Sequence, residues 1–335
     1  MARSLPRKNS QPPAAPDFSA LGPMPYPSAM PNDHIAELLR HCEPARPCET
    51  VAHWWPRWRA IAAAWPEPFD RAIASGGDAD RLGWAFAGGY QSALRALDAS
   101  IPDAVIAALC VTEADGNHPR AIRTTLTPEA GGFRVSGEKR WSTLGPGGGL
   151  FLVIAREAGG DEARPALRTV RIPTGAAGLV VETMPPTAFV PEVPHARIRL
   201  ENVRVEAGAV MDGDAYTHCV KPFRTIEDIY VHAATVAYLI GEARRRGWPP
   251  AWVERALALL HGLARLSLLD PLAPATHIAL AGALANGSAL LAEADAFWAA
   301  AGDDPAAFRW TRDRKLTAVA GKARERRLAT AWARL

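Results

Sequence analysis

Residues 110–156 read CVTEADGNHPRAIRTTLTPEAGGFRVSGEKRWSTLGPGGGLFLVIAR, and they differ in kind from the segments on either side. Phe133, Val135 and Gly137 alternate with polar residues, the period of a half-buried strand. Residues 150–155 form a short apolar run of buried-strand type. Pro128, Gly131 and Gly132 supply a hairpin turn, because glycine takes positive φ without a Cβ clash. Three strand candidates and three turns therefore fall within this one block. Small hydroxyls stand at two strand ends: Thr112, and the pair Ser142 and Thr143 behind Trp141. Hydroxyls, free amides and an indole face at a loop suit a flat ligand with a polar edge.

Outward from this block the chain reads helical. Residues 1–31 hold eight prolines and no periodic apolar face, which predicts an extended or disordered tail. Asn32-Asp33 offers an N-cap for a short helix over 35–40. Trp54, Trp55, Trp58, Ile61, Ala62 and Trp65 recur at helical spacing until Pro66 and Pro68 interrupt them, the mark of an aromatic helix packed on neighbours. Residues 78–97 read as one further helix. Gly88 and Gly89 inside it cost about 1 kcal/mol each against alanine, so a neighbouring helix is expected to approach closely there. Residues 145–149 (GPGGG) lack the lysine and the following helix of a phosphate cradle and read as a turn.

Strands are expected over 167–172, 178–183 and 196–205, with Pro185, Pro186, Pro191 and Pro194 in their connections. Beyond Asp212 the pattern is helical to the end: a helix ending at Gly247, then helices over 253–269, 278–301 and 305–335. This gives an α+β fold. It has an N-terminal helical domain (32–106), a central antiparallel β-domain (107–211) and a C-terminal helical domain (212–335).

Composition bounds the function. The chain has 335 residues, 48% hydrophobic and 22% charged, ordinary values for a globular protein. A net charge of +3 is too small to argue for a nucleic-acid partner, and none is expected. No apolar run approaches a membrane span, and the N-terminus has no signal-peptide core, so a cytoplasmic location and no membrane partner are expected. Cys42, Cys48, Cys110 and Cys219 form neither a disulfide framework nor a zinc spacing, and no metal is expected.

The 110–156 block resembles the middle β-domain of the acyl-CoA dehydrogenase superfamily. That family carries a Thr-Glu-Pro loop, a Gly-x-Lys-x-Trp-Ile-Thr-Asn-Gly stretch and an alanine-arginine strand end. Here the same places hold Thr112-Glu113-Ala114, Gly137-Glu138-Lys139-Arg140-Trp141-Ser142-Thr143-Leu144-Gly145 and Ala155-Arg156. The strand over 195–205 (HARIRLENVRV) is also similar to one of the family's. The resemblance implies helices, β-domain and helical bundle in that order. It also implies FAD contacted by Val111, Thr112, Trp141 and Thr143, a small-molecule substrate such as an acyl-CoA, and a homodimer or homotetramer. His118 stands where the family has a substrate-binding serine, and Pro119 where it has an aspartate. Ala114 and Leu144 replace a family proline and asparagine.

Dehydrogenation beside a thioester carbonyl needs a carboxylate base. Family members supply a glutamate from a C-terminal Tyr-Glu-Gly-Thr segment or from the first helix after the β-domain. The C-terminal segment is missing here, and the first helix carries Glu227 and Asp228, with Ile229 aligned on the family glutamate. Pairs four apart, Arg224 with Asp228 and Asp228 with His232, would leave Glu227 free as the base, with Asp228 as the other candidate. The family's Arg-x-x-Phe-Gly and Gly-Gly-x-Gly-Tyr segments, which touch FAD, are missing too; Arg244-Arg245-Arg246-Gly247-Trp248 stands near the first. Residues 305–335 hold nine Lys or Arg against Asp313 and Glu325, read as a solvated face or as attraction for an anionic cofactor or CoA tail. Flavin-dependent desaturation of an acyl thioester is the leading expectation. A flavin monooxygenase on the same fold and a catalytically silent, partner-binding scaffold are the alternatives.

Overall fold

The computed structural model describes residues 32–40, 46–161 and 164–335. The proline-rich 1–31 and the Cys42 position lie outside the described residues. Four helices come first: α1 (Asn32–Arg40), α2 (Val51–Ala64), α3 (Pro68–Asp78) and α4 (Leu82–Leu97). Thr50 caps α2 by accepting from the His53 amide. The helix expected over 78–97 is α4, which starts later, at Leu82, because Asp78 instead ends α3. Between them Asp80 accepts from the Cys48 amide and pairs with Arg81, so the polar 78–81 segment is spent on tertiary contacts.

The sheet has seven strands: β1 (Ala107–Cys110), β2 (Thr125–Glu129), β3 (Gly132–Thr143), β4 (Leu150–Glu157), β5 (Leu167–Pro173), β6 (Leu179–Thr183) and β7 (His195–Glu206). The spatial order is β1-β4-β2-β3-β7-β6, with β5 on the other side of β4. The sheet is mixed where an antiparallel one was expected. β1 and β2 both run parallel to β4 and share one edge of it end to end, opposite Leu150–Val153 and then Arg156–Glu157. The chain must therefore leave the sheet after β1 and return at β2, and that excursion carries Thr112. β2 and β3 close as a hairpin with Glu129 opposite Gly132 and Gly131 at φ +78°.

Helices follow to the end: α5 (Lys221–Arg246), α6 (Pro250–Ser267), α7 (Pro274–Ala299), α8 (Pro305–Asp313) and α9 (Gly321–Trp332). A π-helical turn, Tyr216–Val220, leads into α5. The one helix expected over 305–335 breaks at Arg314–Ala318, a 3₁₀ turn between α8 and α9. Arg312 meets Asp313 and Glu192, whereas Arg324 and Arg327 reach α5. The expectation that nothing approaches a membrane span is corrected by α7, which is long and apolar enough; a third of its apolar window is buried, with Leu280, Leu284, Leu290 and Trp298 in the helical core.

The helical core joins α1–α8, and tryptophans fill much of it. Trp54 stacks on Trp84 and Trp55 on Trp58, the packed aromatic helix expected from the spacing. The two glycines of α4 are contact points. A Cβ on Gly88 would lie 2.2 Å from Ser75 Oγ of α3, and one on Gly89 would lie 2.8 Å from Val231 Cα of α5. Close helix approach is what excludes a side chain there.

Candidate active site

Glu113 and Lys139 tie the two motifs of the central block together. Lys139 Nζ donates to Glu113 at 2.6 Å, with the lysine side chain wholly buried. The same carboxylate accepts from the Arg123 amide (2.6 Å), the Thr124 amide (3.0 Å) and the Thr124 hydroxyl (2.7 Å). Glu113 thus closes the excursion between β1 and β2 at its far end. Burial pushes its pKa up, but the Lys139 charge and these donors outweigh burial and hold it below the usual carboxylate value. Lys139 is pulled below its ordinary value by burial, against the opposing pull of Glu113. The Arg140 amide donates to the Thr112 carbonyl at 2.8 Å, so Thr112 lies directly beside the start of the Trp141 loop.

Trp141 is aimed by a β-bulge. Lys139 pairs with Ile198 and Ser142 with Ala196, so Arg140 and Trp141 together face one residue of β7. Trp141 takes φ +59°, a left-handed conformation uncommon for a bulky side chain, and is half exposed. Its amide donates to Met184 Sδ (3.5 Å), and its ring edge meets His195 at 6.1 Å between centroids. Backbone strain at a large exposed aromatic marks a binding position more readily than a packing one. Leu144 is also left-handed, at φ +59°, yet buried.

The two hydroxyls of the Ser142-Thr143 pair part company. Ser142 is buried and donates to Cys110 Sγ at 3.2 Å, pinning β3 to β1. Thr143 is half-buried, and its hydroxyl makes no hydrogen bond with another described residue; the same holds for Thr112. Val111 packs against a small buried cluster of Ile122, Ile154, Leu167, Ala215, Cys219 and Val220. The site thus offers an aromatic face and two unoccupied hydroxyls around adjoining loops. These features fit the edge and face of a flavin ring.

α5 brings the carboxylates. Tyr90 of α4 is buried, accepts from the Leu109 amide at 2.9 Å and meets Phe223 edge-on at 5.8 Å. Glu227 lies one turn beyond Phe223 on the same face of α5, near enough for its charge to act on the Tyr90 phenol. Its carboxylate makes no hydrogen bond with another described residue. Burial, and then the neighbouring charge of Asp228, push its pKa up to about 7.

Asp228 is committed elsewhere. It accepts from Arg324 at 2.7 Å and from Arg327 at 2.6 Å, fastening α9 to α5. The local pairs expected from spacing are not its partners, and His232 Nδ1 instead approaches the Asp228 carbonyl at 2.7 Å. Despite burial, the two arginines hold its pKa below the ordinary value. Asp228→Asn therefore leaves two arginines without a counter-charge and should cost about 2–4 kcal/mol, measured by urea unfolding at pH 7. The wild-type contribution is present above the unfolded carboxylate pKa and is lost as pH falls through the lower folded one, so the two proteins converge in acid.

His118 does not join this group. It is exposed and caps a 3₁₀ turn, Pro119–Ala121, its Nδ1 accepting from the Arg120 amide at 3.2 Å. Arg245 and Arg246 both pair with Glu242, and Arg246 also pairs with Asp304 and lies over Trp298 at 4.3 Å. Part of the basic C-terminal segment is likewise turned inward through Arg324 and Arg327. Sequence reasoning missed Tyr90, His195 and the Glu113–Lys139 bond. Only the last carried a signal, an acid and a base at fixed places in the two motifs.

Residues 108–203 match the family model described as acyl-CoA dehydrogenase, middle domain. Among solved structures, butyryl-CoA dehydrogenase from Megasphaera elsdenii superposes with a TM-score of 0.72 at 12% identity, over 92% of this chain and 100% of that one. Glutaryl-CoA dehydrogenase from Mycobacterium smegmatis gives 0.60 at 15% identity, over 91% and 94%. The FAD complex of PigA gives 0.66 at 13% identity, over 92% and 99%. No curated protein matches the chain significantly by sequence.

Proposed function

We propose that this chain, which belongs to the acyl-CoA dehydrogenase superfamily, is an FAD-dependent oxidoreductase that desaturates a CH–CH bond of an acyl thioester. The observation that carries the reading is Glu227. It is a carboxylate without hydrogen-bond partners among the described residues, with a pKa of about 7, on the α5 face that meets Tyr90. Tyr90 in turn holds Leu109, three residues before Thr112. A base poised near neutral pH is suited to taking a proton from carbon beside a thioester carbonyl.

In this reading Trp141 offers its face, and the Thr112 and Thr143 hydroxyls offer polar contacts, to the flavin ring. Bound FAD would supply the acceptor for the hydrogen and electron pair lost from the second carbon. Glu227 takes the proton from the first carbon and holds it after the double bond forms. The Asp228 ion pairs fix α5, and with it the direction of Glu227. Self-association as a homodimer or homotetramer is part of the proposal.

The test is anaerobic mixing of the flavin-loaded protein with saturated acyl-CoA thioesters. Loss of the flavin band together with formation of the enoyl thioester supports the reading, and an unchanged band with every thioester removes it. One observation favours a silent scaffold instead: Arg245 and Arg246 are tied to Glu242 and Asp304, which leaves fewer cations for the cofactor's phosphates. A protein that takes up no flavin would fit that second reading.

A further inference from the structure

The connection between β6 and β7, residues 184–194, holds the Trp141 loop at two points. The Trp141 amide donates to Met184 Sδ at 3.5 Å, and the Leu144 amide donates to the Pro194 carbonyl at 2.8 Å. The ends of the connection are themselves joined, because the Met184 amide donates to the His195 carbonyl at 2.9 Å. His195 stands directly opposite Thr143, and its ring meets that of Trp141. Backbone strain gathers in this group. Of the four non-glycine residues with positive φ among the described residues, Trp141 and Leu144 are two, and Val190, at φ +42°, is a third. A β-branched residue keeps that conformation only where its surroundings impose it. Asp313, the last residue of α8, does so. It is wholly buried, and its Oδ1 accepts from the Val190 amide at 2.7 Å. Arg312 donates to both of its oxygens, at 2.6 and 2.8 Å, and also reaches Glu192 at 3.3 Å. Glu192 in turn lies against α4, where a Cβ on Gly83 would be 2.2 Å from its Oε1. From Val190 the chain turns at once, the Val193 amide donating to the Val190 carbonyl at 3.0 Å. The next residue is Pro194, which holds Leu144.

We propose that Asp313 is a positioning residue for the flavin-facing loop. By holding the Val190 amide it fixes the turn over 190–193, and through Pro194 it sets the backbone at Leu144, next to Thr143. Without that carboxylate the Val190 amide is a buried donor with no acceptor, in a residue whose own preference is for negative φ. The turn then relaxes, and the carbonyl of Pro194 and the ring of His195 move with it. The helical bundle thus shapes the cofactor face of the sheet without touching the cofactor. The inference rests on Trp141 and Thr143 being the flavin contacts proposed above.

The experiment compares the wild type with Asp313→Asn, Asp313→Leu and Leu280→Ala. Asparagine keeps an oxygen that accepts from Val190, whereas leucine has none. Leu280 is buried in α7, so its truncation destabilises the protein without removing a bond of this relay. The first readout needs no flavin: hydrogen exchange of the Leu144 amide. Asp313→Leu should speed it about tenfold or more, beyond any change in Leu280→Ala, and Asp313→Asn should stay near the wild type. The second is the affinity for FAD, titrated into the flavin-free protein. Asp313→Leu should weaken it about tenfold, and the other two variants by less than about twofold. Arg312→Met, at a partly exposed position, should move both readouts in the same direction if the leucine variant folds poorly. Leu144 exchange in Asp313→Leu no faster than in Leu280→Ala overturns the inference, and so does faster exchange with undiminished flavin affinity. A wild type that takes up no flavin removes the cofactor reading alone, and the exchange comparison still upholds or overturns the relay.

Discussion

Lys139→Met should cost about 3–5 kcal/mol of stability and reduce flavin retention severely, because it leaves Glu113 buried as a charge without its partner. The carboxylate keeps its bonds to Arg123 and Thr124, but those donors do not carry a compensating charge. Its alternatives are to take up a proton or to draw water inward. Either loosens the end of the excursion that carries Thr112 and its link to the Trp141 loop. The double variant Glu113→Gln/Lys139→Met should recover part of the loss, since a buried ion pair contributes less than breaking it costs. Urea unfolding and the flavin absorbance of the desalted protein measure the two effects. A Lys139→Met protein as stable as wild type, with undiminished flavin, would show that the pair does not organise the site.

Glu227→Gln should lower thioester-dependent flavin reduction by about 10²–10⁴-fold while leaving flavin bound. The variant keeps the shape of the side chain and removes the proton acceptor. In the wild type, kcat/KM should rise with pH through about 7, because the base acts only when deprotonated. Stability moves the opposite way. A carboxylate whose folded pKa lies above its unfolded value of about 4.3 stabilises less as pH rises between the two. The glutamine variant escapes this and should be more stable above pH 7, on the order of 1–2 kcal/mol after allowance for partial exposure. A variant with wild-type rates and an unchanged pH profile would remove Glu227 from the chemistry.

The central block was readable because its evidence is local. Alternation at Phe133 and Val135, the Gly131 turn and the paired motifs lie within fifty residues, and each appears in the structure where its spacing puts it. What spacing cannot show is direction. Ser142 and Thr143 take opposite faces as strand neighbours, and the register shift before them sets which hydroxyl meets Cys110. The same holds on α5. An offset of four residues suggests Arg224 as the partner of Asp228, whereas Arg324 and Arg327 arrive from the far end of the chain and bond both of its oxygens. Tyr90 reads as one more apolar residue of α4, and only the packing of α4 on α5 brings it to Phe223, one turn from Glu227. The parallel pairs of β4 were hidden because parallel strands are joined through excursions that carry no turn signature.

The most direct test of the account is the visible absorbance of the purified protein after incubation with FAD and desalting, beside Trp141→Ala and Thr112→Val/Thr143→Val treated in the same way. The account predicts near-stoichiometric flavin on the wild type and several-fold less on both variants, with unchanged folding by circular dichroism. A wild-type protein that emerges colourless, or variants that hold flavin as well as it does, would contradict the assignment of these residues to the cofactor.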